Sequence, residues 1–207
     1  MNFETKYLIR WGIPGWVFLF FLFSTIVVGK DLSVVTMLKT GGTKSVGLVI
    51  ALAGIGVPIG YMFHQVNFGI HWFGKQNLSK NIGYISNLLI DVDESKDITG
   101  ENVEDYYLIE YLMHNELSKL DEPRLNYLSE RYRHLLSTTH SLGALRQSLF
   151  AASIFPLVFF FNTWHFEILL ITIVCLGMFW KIGQNYNYYS KKTMYFQGRL
   201  IKDLLKK

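Results

Sequence analysis

Residues 121–162 constrain this chain more than any other stretch, because they begin as a water-facing helix and end wholly apolar. Asp121 offers a capping carboxylate, and Pro123 falls where a helix tolerates proline, in its first turn. Leu125, Leu128, Tyr132, Leu135, Leu142 and Leu149 then recur at the three- and four-residue steps of one helical face. Thr139 is the one polar member of that series. The opposite face carries Arg124, Glu130, Arg131, Arg133, His134, Ser137 and His140, and beyond Arg146 it disappears. Residues 148–161 are almost uniformly apolar, so the spacing predicts one helix that leaves water and enters lipid.

Three further apolar runs make the membrane reading general. Half of the 207 residues are hydrophobic and 16% are aromatic, and they are clustered rather than spread. The first run, 11–29, opens on Trp11, Pro14 and Trp16, which suit an interfacial helix start. It is too long for a signal-peptide core, and Gly29-Lys30-Asp31 is not a typical cleavage site, so no cleaved leader is expected. The second run, 46–63, contains the small-residue pairs Gly47/Ala51 and Gly56/Gly60 together with Pro58, which is expected to kink it. The third reaches Phe161 and contains Pro156. The fourth covers 166–180 after the turn Asn162-Thr163-Trp164-His165. The last two are short for a full crossing of about 20 residues. They span if they borrow flanking residues while Arg146 and Lys181 snorkel; otherwise they form a re-entrant hairpin. Cys175 is the only cysteine, which excludes a disulfide framework within one chain.

The predicted fold is therefore all-α: four transmembrane helices, with a helical cytoplasmic domain between helices two and three. The divisions are 1–63 (first membrane pair), 64–147 (soluble domain), 148–183 (second membrane pair) and 184–207 (basic tail). Within the soluble part, residues 91–122 hold eleven Asp or Glu. A helix over 101–120, with Tyr106, Ile109, Met113, Leu117 and Leu120 on one face, is expected to pair antiparallel with the one after Asp121. Residues 181–207 hold seven Lys or Arg against Asp203 alone. Charge sets the orientation. With both termini inside, 17 Lys or Arg lie on the inner side and 3 outside, which predicts an inner-membrane protein with a cytoplasmic middle domain.

Arg133 and His140 are seven positions apart, nearly two helical turns, so both project from one face. The Arg-x(4–6)-His pattern of the HEPN ribonuclease superfamily has this form. There histidine can move protons while arginine holds the phosphate. In a chain with six arginines and six histidines, one such match lies near chance frequency. His64, Asn67 and His71 share a face at the end of the second run, where they could line a vestibule, but further metal or haem ligands are not apparent. Gly56 and Gly60 are candidates for helix packing, either within the chain or between copies. No phosphate loop, nucleophile elbow or HExxH motif occurs. The apolar runs also lack the central ionisable groups of a proton-coupled transporter. No metal, cofactor or small-molecule substrate is expected, nor an enzyme activity.

Paired membrane helices around a helical domain with the Arg133–His140 spacing resemble the membrane accessory proteins encoded beside the type VI-B CRISPR ribonuclease. The resemblance is architectural over the whole chain and adds one short motif, whose six-residue gap is the longest the pattern allows. It implies a homo-oligomeric membrane pore, or permeability effector, acting as an accessory in antiviral defence. Its partners would be lipids, further copies of the chain, and a CRISPR effector or RNA. The rival expectations are a membrane-bound ribonuclease using Arg133 and His140, and an adaptor whose cytoplasmic helices bind a partner.

Overall fold

The computed structural model describes residues 5–32, 43–73, 75–89 and 103–205. They form six helices, with no strand among the described residues: α1 (Thr5–Gly29), α2 (Thr43–Phe73), α3 (Lys75–Leu89), α4 (Val103–Ser118), α5 (Glu122–Thr163) and α6 (Phe166–Leu205). The all-helical expectation holds. Helix α5 runs unbroken for 42 residues through Pro156, as the change of character along 121–162 predicts. The chain divides into two compact units, Met1–Asn67 with His140–Asn185, and Phe68–Thr139 with Tyr186–Lys207. Helices α5 and α6 contribute to both.

In the first unit, α1 and α2 meet through glycine. A Cβ on Gly15 would collide with the Gly56 carbonyl, and one on Gly60 with the Trp11 carbonyl. The groove that Gly56 and Gly60 leave is thus filled by Trp11, Gly15 and Trp16 of the same chain. The Trp16 indole donates a 2.9 Å hydrogen bond to the Ala53 carbonyl, fixing the pair. Farther along the helices, Phe21, Leu149, Ala152 and Cys175 form a buried cluster, with Val17, Phe18, Ile171 and Phe179 packed around it. Three buried hydroxyls of this unit donate to backbone carbonyls, as an apolar medium demands. Thr25 donates to the Phe21 carbonyl at 2.8 Å, Thr172 to the Ile168 carbonyl at 3.1 Å, and Ser148 to the Pro14 carbonyl at 2.5 Å.

Pro14 also explains a histidine. Lacking an N–H, it leaves the carbonyl of Arg10, four residues earlier, without its helical donor. The His64 ring of α2 lies toward that carbonyl. Helix α1 ends in a Schellman motif: Leu32 N–H donates to the Val27 carbonyl at 2.9 Å and Asp31 N–H to that of Val28 at 3.2 Å. Asp31 takes the left-handed conformation (φ 49°) that this ending requires.

Among the described residues, three helices, not the four expected, are long and apolar enough to cross a membrane: the Arg10–Gly29 part of α1, α5 and α6. The difference is α2. Its described side chains, apart from Gly47, begin at Ile50, and within them the apolar run soon gives way to His64, Gln65 and Asn67. On α5 and α6, Phe150, Ile154, Val158, Phe161, Leu170 and Ile173 point outward and are exposed. Large apolar side chains facing outward along whole helices are what lipid, rather than water, stabilises.

The second unit is a helical cluster of α3, α4, the first part of α5 and the last part of α6. Ile82, Ile85 and Leu89 of α3 are buried against Ile109, Met113 and Leu117 of α4, Tyr132 of α5, and Leu200, Ile201 and Leu204 of α6. Residues 184–205, most of the basic tail expected from the sequence, are thus the end of a 40-residue helix with one buried apolar stripe. Helices α3 and α6 approach closely at Gly198, where a Cβ would lie 2.8 Å from the Leu88 side chain.

Candidate functional site

A short turn, residues 119–121, folds α4 back against α5, and the two helices enclose a cavity of about 480 Å³. Helix α4 contributes Glu110, Met113, His114, Leu117 and Ser118, at i, i+3, i+4, i+7 and i+8, which is one face of a helix. From α5 come Leu125, Asn126, Ser129, Tyr132, Arg133 and Leu136, again one face. The volume lies within the range of roughly 300–1,000 Å³ usual for small-molecule sites. The lining mixes a leucine and methionine floor with polar groups at its margins.

The charges in this cavity are only partly matched. Glu110 accepts a hydrogen bond from the Tyr106 hydroxyl at 3.3 Å. Glu116, buried beside the cavity, is held by Lys119 and by the Asn115 amide. Arg133 is exposed and forms no ion pair with any described residue. His114 is likewise exposed. A guanidinium and an imidazole beside the hydroxyls of Ser118 and Ser129 form a donor-rich margin suited to an anionic group. Burial pushes the Tyr106 and Tyr132 phenols well above their ordinary value, and the charge of Glu110 adds to both shifts. Both phenols are therefore neutral donors near neutral pH.

The residues singled out in the sequence fall in different places. Arg133 lines the cavity, whereas His140 is half-buried, belongs to the first unit and does not line it. Gly56 and Gly60 are buried against α1. His64 is half-buried on the Arg10 carbonyl, and Asn67 is 7% exposed, with its carboxamide against Gly143 of α5. Asn67 is thus taken up by packing against α5 within the first unit. His71 lies in α2, but its side chain is outside the described residues. No group of His, Cys, Asp or Glu among the described residues could hold a metal. The sequence reading missed His114, which faces the cavity from α4. Its spacing from Glu110 and Ser118 was legible, but the face it shares with them was not, because the apolar stripe of α4 points to the core.

The fold and cavity define a class: an all-helical protein with membrane-type helices and a separate helical unit that carries a mixed polar and apolar cleft. No family model, curated protein or solved structure matches the chain.

Proposed function

We propose that this chain is a membrane-anchored binding protein, an adaptor whose second unit engages an anionic, partly apolar group in the α4–α5 cavity. The observation that carries this reading is Arg133, a cation without an acidic partner among the described residues, at the margin of a cleft floored by leucine. In this reading α1, α5 and α6 cross the inner membrane, and α2 returns alongside α1 as a fourth crossing backed by the glycine interface. Both termini and the second unit face the cytoplasm, following the charge distribution. Homo-oligomerisation belongs to the same proposal, since the outward faces of α5 and α6 are available to lipid or to another copy.

The test uses the purified full chain and hexyl phosphate, which joins an anionic head to a short apolar body. Saturable binding is expected, and Arg133→Ala should weaken it about tenfold or more, the scale of one hydrogen bond to a charged group. Binding unaffected by Arg133→Ala counts against the adaptor. Dye release from liposomes by the intact chain would favour instead the permeability effector that the resemblance implies. RNA cleavage lost in His140→Ala but retained in His134→Ala would establish the ribonuclease.

A further inference from the structure

Arg146 sits where α5 turns apolar, and its surroundings are unusual for an arginine. Its guanidinium carbon lies 4.9 Å from the centroid of the Phe179 ring of α6. One turn farther along α6, Gly183 leaves room for it: a Cβ there would lie 3.3 Å from Arg146 Nε and 3.7 Å from the guanidinium carbon. The guanidinium therefore rests in a notch between an aromatic ring and a bare stretch of helix. Its Nε is buried and has no hydrogen-bond partner among the described residues. A buried charged donor without an acceptor is costly, and such groups find a partner in the native setting.

The described residues around it do not supply one. Within the first unit, the only acidic residues among those described are Asp31 and Glu167. Both lie at the opposite end. Asp31 follows the end of α1, where a Cβ on Gly29 would touch Phe159 and Ile168 near the α5–α6 turn, and Glu167 follows that turn directly. At the Arg146 end the unit gathers cations. Lys181 extends toward Gln184 at 3.4 Å, and Arg10 lies at the level where Ser148 meets Pro14. Among the described residues of this unit the acids sit only at the other end, beside Lys30. Trp180, 68% exposed, stands beside the notch as interfacial tryptophans do.

We infer that the notch formed by Arg146, Phe179 and Gly183 is a seat for the phosphate of an anionic phospholipid, with Lys181 as a second cation. The phosphate is then held by the outer N–H groups of the guanidinium at the level where headgroups lie, while Nε stays buried against α6. Phe179 holds the guanidinium plane by cation–π contact, and Gly183 keeps the approach open. This inference rests on the bilayer position proposed for the first unit and is independent of the α4–α5 cavity.

The experiment takes the full chain in neutral detergent and titrates phosphatidylglycerol, phosphatidylcholine, soluble glycerophosphoglycerol and inorganic phosphate, reading bound lipid by native mass spectrometry. Phosphatidylglycerol should bind most tightly. Arg146→Gln should weaken it about fivefold, the fold-change expected when one basic residue is removed from an anionic surface. Gly183→Leu should do the same by displacing the guanidinium, which keeps the test decisive if Arg146→Gln misfolds. Arg131→Gln, a control in the second unit, should bind as the parent does. Unchanged phosphatidylglycerol binding in both notch variants overturns the seat. So does displacement by inorganic phosphate or glycerophosphoglycerol at matching concentration, which would make it a soluble-anion site. Failure of the parent to insert into vesicles of either lipid would instead overturn the bilayer position itself, whereas insertion without lipid preference would sink the seat alone.

Discussion

The hydroxyls of Thr139 and Thr193, on α5 and α6, lie 3.1 Å apart in the interior of the second unit. Each hydroxyl also lies in reach of a carbonyl of its own helix, Thr139 of Leu135 at 3.0 Å and Thr193 of Tyr189 at 2.8 Å. With one proton each, one threonine donates to its helix and the other donates across the seam. Two hydroxyls in an apolar seam are tolerated because each proton has an acceptor within reach. Thr139→Val alone should cost about 1 kcal/mol, because it removes the hydrogen bond across the seam while Thr193 keeps the Tyr189 carbonyl. The double change, Thr139→Val with Thr193→Val, should cost less than the sum of the singles. Thermal unfolding of the four proteins in detergent measures this, and strict additivity would mean that the two hydroxyls do not interact.

Glycines in this chain separate into two kinds. Gly15→Leu or Gly60→Leu pushes a side chain into the backbone of the opposing helix, which cannot yield, so little folded protein should be recovered. Gly54 faces open space, and Gly54→Ala should be neutral or stabilising by up to about 1 kcal/mol through helix propensity. Size-exclusion profiles in detergent distinguish the two outcomes. Equal recovery of all three variants would refute the glycine interface.

Ile201 has no exposed surface and belongs to the core of the second unit. Ile201→Ala should destabilise that unit by about 2–5 kcal/mol. Truncation after Gly183 should unfold it outright, since Leu200, Ile201 and Leu204 are removed together. A protease-resistant second unit in the truncated chain would contradict this packing.

Alkaline pH should act on the second unit through its buried phenols. An unfolded tyrosine titrates near 10.0, and Tyr132 in the fold titrates above that value, chiefly through burial. A raised folded value means its contribution is intact below pH 10.0 and is lost as pH rises from there through the folded value. Helicity followed on alkaline titration should therefore fall beyond that point. In Tyr132→Phe the transition should move to higher pH while stability near neutrality stays within about 0.5 kcal/mol. A parent and variant that unfold at the same pH would show that Tyr132 is not a determinant.

Much of the architecture was legible because helical periodicity and apolar run length are local properties. The hairpin of α4 and α5 followed from two facing stripes and the break at Asp121. Helix α3 did not, since Ile82, Ile85 and Leu89 form a stripe of only three residues in a polar background. Of the candidate site, Arg133 stood out for a motif whose other half, His140, belongs to the other unit. The cavity it does line depends on which faces of two helices turn toward each other, a choice that no single helix encodes.

By itself the sequence determined that the chain is helical, that its apolar helices suit a membrane, and that one helix passes from polar to apolar surroundings. Those follow from hydrogen-bond satisfaction and the hydrophobic effect acting over adjacent residues. Only the tertiary structure decided that Gly56 and Gly60 receive α1 of their own chain, and that His64 answers the carbonyl freed by Pro14. It likewise decided that the basic end of α6 is half core, and that Arg146 lies on Phe179 and Gly183. Each of these pairs residues far apart in the chain, and steric fit between whole helices selects them.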